Sequence, residues 1–386
     1  MRYLYIGLIL PLLLSGQLWA KPVDSTGSAV IVDNAVDMAR YLAIREAIKQ
    51  AALQSGVQLH SSTRFSNYRV IGESTRIQTN GVINKLQILD EWREEDRLHV
   101  RIRAQVDQSS QCSTAKYRKK LAVYPFLISH PTHVSDIMGL ENGYSQELAR
   151  RLTAGGHFLL RTIPQLTLYP EPHRAPDIID TQIFSQFGQL SDLQFLVSGV
   201  IREVSYTPPS PNLLQRFFRI EDRPDSRSLD IELFIHDIHS ETLLARHRFN
   251  QTIHHDAFVG RDKPFATQSF FKTGTGKAFD KILQQQYLLV QKELACLPFS
   301  AHVVNVDKDQ VIVNAGNTSW IHVGDKLVVF SRHNTTLEYA GQRLGTPEQP
   351  LAVITIKRVQ PQFSIGILEN PSLATNIKTD DLVRSW

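Results

Sequence analysis

Gly27-Ser28-Ala29-Val30-Ile31-Val32-Asp33-Asn34, leading into Ala43-Ile44-Arg45-Glu46-Ala47-Ile48, is the stretch from which the fold is read. The first part is a short β-like run. Asp33-Asn34 then offers a helix cap, and Asp37 falls in the first turn, where a carboxylate meets the positive end of the helix dipole. The helix is expected to reach about Gln54 and to stop at Ser55-Gly56. Ala43, Ile44, Ala47, Ile48 and Ala51 recur at helical spacing and form its buried stripe, while Arg40, Arg45 and Lys49 face elsewhere. A stripe this rich in alanine lets a helix lie close against a sheet. The sheet is supplied by β-like segments at Arg69 to Thr79, Val82 to Glu91 and Arg97 to Asp107. Asn80-Gly81 joins the first two as a hairpin, and Glu94-Glu95-Asp96 is the next turn. Residues 24–110 therefore read as one helix, or two, on an antiparallel sheet.

Outward from this block the pattern changes. Residues 111–120 are polar and end Lys116-Tyr117-Arg118-Lys119-Lys120, which suits either an anionic partner site or a solvated linker. They open a middle block, 111–297. Its first strand is Leu121-Ala122-Val123-Tyr124-Pro125-Phe126, with Pro125 marking an end or an edge. Helices are expected at 143–152, near 180–188 and from 275 to 296. Strands are expected at 158–163, 195–205, 228–238 and 243–253, with His239-Ser240-Glu241 as a tight link. That alternation describes an α/β domain with a mixed sheet. The last block, 298–386, is almost all β. Its turn Val323-Gly324-Asp325 runs into Lys326-Leu327-Val328-Val329, echoed by Thr379-Asp380-Asp381-Leu382-Val383. A turn feeding an apolar strand, used twice, suits a small barrel closed by its final strand. The fold class is thus mixed α+β in three domains.

The amino terminus has the layout of a cleavable secretory signal over residues 1–20. Arg2 precedes an apolar run from Leu4 to Leu14, and small Ala20 precedes Lys21-Pro22. The run is shorter than the roughly 20 residues a membrane-spanning helix needs. No Cys follows it to carry a lipid, so an exported, soluble mature chain without a membrane span is expected. In 386 residues, 42% hydrophobic and 21% charged, a net charge of +4 is too small to suggest a nucleic-acid partner. The two cysteines, Cys112 and Cys296, fall at the borders of the middle block. The ends of a domain usually lie close together, so export would allow a bridge worth about 4–5 kcal/mol in the chain-entropy model. The alternative is two unpaired thiols.

The sequence offers no assembled chemistry. Thr273-Gly274-Thr275-Gly276-Lys277 lacks the glycine and hydroxyl positions of a phosphate loop, with Phe271 and Ala278 in their places, and reads as a helix start. His130-Pro131-Thr132-His133 and His254-His255 read as surface histidines, and Glu91, Glu94, Glu95 and Asp96 as a solvated turn. No nucleophile elbow, zinc-binding helix or paired-cysteine motif is present. No catalytic residue, cofactor or metal ligand is assigned. One insertion stands out: Pro208, Pro209 and Pro211, followed by Leu213, Leu214, Arg216, Phe217, Phe218 and Arg219. It is either a partner-binding arm or a segment that folds its phenylalanines back onto its own domain.

The ordered set of these features resembles the flagellar assembly protein T (FlgT) family. The resemblance rests on Gly27 to Ile31 entering the helix with Ala43 to Ile48, on the strand Leu121 to Phe126, and on the Val323-Gly324-Asp325 turn. It spans essentially the whole mature chain. It implies a middle domain similar to the amino-terminal domain of TolB and a non-enzymatic periplasmic role. Members form the H ring around the LP ring of the flagellar basal body and support incorporation of MotX and MotY into a sodium-driven motor. Self-association in a ring is part of that expectation. Two other readings stand beside it. One is a periplasmic adaptor for outer-membrane assembly or transport, built on a TolB-like module. The other is a hydrolase whose residues meet only in the fold, for which a deep polar pocket with paired carboxylates would be the sign.

Overall fold

A computed structural model describes residues 22–54, 59–61, 77–79, 82–107, 116–163, 167–176, 183–184, 186, 192–209, 224–239, 242–295, 297–332, 337–339, 342–345 and 348–385. The first sheet has the order β1-β5-β4, all antiparallel, from β1 (Pro22–Val30), β4 (Val82–Glu94) and β5 (Arg97–Asp107). Helix α1 (Val36–Gln54) covers one face. Its Ala39, Ala43, Ala47 and Ala51 are buried against Leu98, Val100, Ile102 and Ala104 of β5. The alanine stripe allows an approach so close that a Cβ on Gly27 would lie under 3.0 Å from the Ala43 and Ala47 backbone. The Ser25 hydroxyl donates to the Ala47 carbonyl at 2.7 Å across the same gap. The helix begins at Val36, beyond the expected cap at Asp33-Asn34. Both adopt left-handed backbone (φ 48° and 60°) and turn the chain from strand to helix, a conformation Asp and Asn tolerate better than most residues. A short ladder pairs β2 (Leu59–Ser61) with β3 (Ile77–Thr79). The rest of the expected 69–79 strand, and Asn80-Gly81, lie outside the described residues.

The middle sheet is mixed, as expected. Its order is β11-β10-β9-β6-β8, from β6 (Lys119–Val123), β8 (Phe158–Leu160), β9 (Phe195–Thr207), β10 (Ser226–Asp237) and β11 (Thr242–His254). β7 (Leu127–Ile128) pairs with β9. β6 runs parallel to β8 and β9, whereas β9, β10 and β11 are antiparallel. Helices α2 (Leu140–Ala154), α3 (Gln268–Lys272) and α4 (Gly274–Ala295) cover one face through a large apolar core. A second core, including Tyr124, Leu168, Tyr169, Phe184 and Phe234, covers the other. Burial on both faces explains the near-continuous apolar runs of β9 and β10. Of the helix expected near 180–188, only Ile183, Phe184 and Gln186 are described.

The last unit is a closed antiparallel barrel in the order β12-β13-β18-β17-β14-β19. Its strands are β12 (Ser300–Asp307), β13 (Gln310–Val313), β14 (Lys326–Arg332), β17 (Glu348–Val359), β18 (Ser364–Leu368) and β19 (Leu382–Ser385). β15 (Leu337–Tyr339) and β16 (Gln342–Gly345) pair with each other beside it. The final strand does close the barrel, sitting between β12 and β14. Alternation along each strand sends Leu327, Val329, Ile354 and Val383 inward, and Val328, Phe330, Val353 and Leu382 outward.

Candidate functional site

The basic run before the middle sheet is neither a linker in water nor an exposed anion site. Strand β6 begins at Lys119, so Lys119 and Lys120 sit inside the molecule, each 2% exposed. Tyr117 enters the barrel core and tilts against Phe299. The Lys119 ammonium donates to the Leu294 and Ala295 carbonyls, satisfying the last turn of α4, where backbone oxygens lack partners. Burial pushes its pKa down to about 8. Lys120 pairs with Asp192 and donates to the Asn314 carbonyl of the barrel at 2.8 Å, while Asn314 itself donates to Asp192 at 2.7 Å. Lys116 pairs with Asp325 at 2.8 Å. Gln194 donates to the Pro298 carbonyl at 2.6 Å and accepts from the Ser300 amide at 3.2 Å. This seam fixes the barrel against the middle sheet through directional polar bonds. A buried, satisfied polar network specifies one orientation more sharply than apolar contact does.

A second junction ties the first unit to the barrel. Met38 and Tyr41 of α1 pack on the outward residues Val328, Phe330, Val353 and Leu382. Charged groups ring the contact. Lys326 and Arg40 both bind Asp37, Glu369 accepts the Asp37 amide at 2.5 Å, and Asn370 donates to the Asp33 carbonyl at 2.6 Å. Arg40 also grips Glu91 with two bonds at 2.6 and 2.8 Å, which holds that carboxyl below its usual range. Glu91 is thus a structural ion-pair partner, whereas Glu94, Glu95 and Asp96 form the expected exposed turn.

The sheet face away from α1 is open. Arg97, His99, Arg101 and Arg103 alternate with the buried residues of β5 and point to this face. Asp24 on β1 takes two 2.7 Å bonds from Arg103, Asp90 on β4 lies 3.4 Å from Arg101, and Trp92 stacks on His99. The result is a flat polar surface of mixed charge.

Elements resembling chemistry resolve into structure. Tyr169, Ser198 and His236 form a chain of hydrogen bonds at 2.7 and 2.9 Å, fully inside the second core, and burial drives the His236 pKa down to about 4. A neutral imidazole among Phe184, Phe234 and Tyr169 is a packed core group. His130 and His133 stack on each other at the surface, and no group of metal-holding side chains occurs among the described residues. His254 and His255 are exposed. The Thr273–Lys277 run is the predicted helix start. Thr273 Oγ1 accepts the Gly276 amide at 2.9 Å, and Gly276 lacks a Cβ because the Phe270 carbonyl occupies that space. A solvent-open cleft between α2 and α4 is lined by Arg150, Arg151, Ala154, Gly155, Gln284 and Tyr287, with Arg151 already bound to Glu147 and Asp280.

Of the candidate arm, Pro208 and Pro209 follow β9, and Pro211 through Arg219 lie outside the described residues. So do Cys112 and Cys296. No described helix is long and apolar enough to cross a membrane.

The molecule is thus three sheet-based units held by two seams, with a charged face on the first sheet. Comparison with known proteins supplies the class. Profiles for flagellar assembly protein T match the chain in order: the N-terminal domain over residues 21–108, the middle domain over 110–257 and the C-terminal domain over 308–385. The chain belongs to the flagellar assembly protein T family, whose role is structural, in building the flagellum. No curated relative matches. Among solved structures, a hypothetical protein from Chlamydia trachomatis is 15% identical, with 47% of this chain and 99% of that one covered and a TM-score of 0.36. The PelC dodecamer from Paraburkholderia phytofirmans is 11% identical over 49% and 94%, with a TM-score of 0.27. A lipoprotein from Neisseria meningitidis is 12% identical over 44% and 97%, with a TM-score of 0.24. These overlaps carry no functional reading.

Proposed function

We propose that the mature chain works in the periplasm as an H-ring component around the LP ring of the flagellar basal body, where it supports incorporation of MotX and MotY. The observation that carries this reading is the ordered match of all three family segments across one chain. Residues 1–20 act as the export signal, and the working domains span 24–110, 111–297 and 298–386. The two polar junctions support the reading, because a ring subunit must present its contact faces at a fixed angle for a head-to-tail array to close. The open face of the first sheet, and the arm at 208–219, are the surfaces offered to neighbours. Cys112 and Cys296 form one bridge after export. The experiment is a deletion of the gene, complemented with the full-length chain or with one lacking residues 2–20. The full-length chain restores flagellation and swimming, and the leaderless one does not. Normal swimming in the deletion strain refutes the role, and rescue by the leaderless chain refutes the location.

A further inference from the structure

The first sheet and the middle sheet each end in one long strand whose outer side has no ladder partner among the described residues. In the first unit that strand is β4, in the middle unit it is β11, and both are 13 residues long. Neither holds a buried residue from Leu86 to Glu94 or from Leu243 to His254. The opposite edges are poorer templates. β8 has three residues, and β1 has nine and opens on Pro22, which has no N–H to give. A row of unpaired N–H and C=O groups suits one kind of partner, another extended chain. We propose that β4 of one copy adds to β11 of the next, joining the first sheet of each molecule to the middle sheet of its neighbour.

Register and charge narrow the contact. Irregularities against β5 at Ile83/Lys85 and Ile88/Asp90 leave Asp90-Glu91-Trp92-Arg93-Glu94 as the last regular run of β4. Beyond its one irregularity β11 is regular from Ala245 to His254, and that run contains Arg246 and Arg248 but no carboxylate. Three carboxylates and one guanidinium on the first run face two guanidiniums on the second, opposite charges of equal size. The partners inside each copy leave these groups available at the edge. Glu232 is shared between Arg202 and Arg246, each at 2.5 Å, and the Arg248 side chain is 54% exposed. The Glu94 side chain is 69% exposed and 3.6 Å from His99.

Charge also selects between like and unlike pairing. Two β11 edges would set arginine opposite arginine, and two β4 edges carboxylate opposite carboxylate, both destabilising. The unlike pair is a head-to-tail contact, which repeats from copy to copy and closes into a ring where the angle allows. This inference rests on the ring reading above and adds to it the two surfaces that meet.

The test uses cells whose only copy of the full chain carries the photoreactive residue p-benzoylphenylalanine in place of Arg93, an exposed position on β4. Basal bodies are purified and irradiated, and the joined peptides are mapped by mass spectrometry. Strand addition predicts products of at least two chains, with the label joined to β11 of another copy. The same label at exposed Asn250 of β11 should join to β4. In R246Q/R248Q the Arg93 cross-link should fall about two- to thirtyfold, the weight of two cross-strand ion pairs. Cross-links between copies that avoid these strands, or none between copies, overturn strand addition while the chain is present in basal bodies. An undiminished cross-link in a folded R246Q/R248Q overturns it as well, and the two label positions decide alone if that variant does not fold. Basal bodies that lack the chain defeat the ring reading itself, and strand addition falls with it.

Discussion

Gly27→Ala tests the closest contact in the first unit. The glycine backbone does not sit in the left-handed region, so alanine fits the local conformation and would by itself stabilise by about 0.4–1 kcal/mol through the unfolded state. Against that gain stands the new methyl. It would lie under 3.0 Å from the Ala43 carbonyl and the Ala47 amide, and 3.0 Å from the Glu46 carbonyl carbon. These atoms belong to the backbone of α1, so no rotamer change relieves them and the helix itself must move. Overpacking of this kind costs about 1–3 kcal/mol. Lifting α1 also stretches the 2.7 Å bond from Ser25 to Ala47, worth about 1 kcal/mol. The sum is a net loss of about 1–4 kcal/mol, confined to the first unit. Hydrogen exchange of α1 amides in the full-length variant reads it directly, as a loss of protection of roughly fivefold or more at about 1.4 kcal/mol per decade. Native-like protection in α1 would refute the close-approach reasoning.

Three further outcomes follow from the junctions and the barrel. Lys119 keeps its ordinary pKa of 10.5 when unfolded but titrates near 8 when folded. Between about pH 8 and 10.5 the unfolded chain therefore binds a proton that the folded chain lacks, and stability rises with pH by up to about 1.4 kcal/mol per unit. Lys119→Met should flatten that rise in urea unfolding at pH 8 and 9.5, and an unchanged slope would contradict the burial argument. Ending the chain after Asp381 removes β19 and the fully buried Val383, leaving β12 and β14 without their shared neighbour. Limited proteolysis should then degrade the barrel while sparing the middle sheet. Met38→Asp places a charge on the patch of Val328, Phe330, Val353 and Leu382. Small-angle scattering should show the first unit leaving the barrel, with a larger radius of gyration than the native chain.

Local periodicity made much of the fold legible before any coordinates. The alanine stripe predicted how near α1 would lie to its sheet, because a row of small side chains has only one packing consequence. The two turn-to-strand repeats at Val323 and Asp380 foretold a barrel sealed by its last strand. What stayed hidden depended on distant parts of the chain. Lys116 to Lys120 has the composition of a solvated run, and nothing local reveals that Leu294, Asp192 and Asp325 converge on it. Met38 and Tyr41 lie off the alanine stripe, and their partners Val328, Phe330, Val353 and Leu382 are roughly 290 to 340 residues further along the chain.

Membership in the family leaves the position in the motor as the claim to be tested. The direct measurement is electron microscopy and mass spectrometry of basal bodies purified from native cells and from cells lacking this chain. A periplasmic ring component predicts the chain in native basal bodies and a missing outer density around the LP ring in the deletion. Basal bodies that lack the chain and keep an unaltered ring profile in both strains would contradict the account.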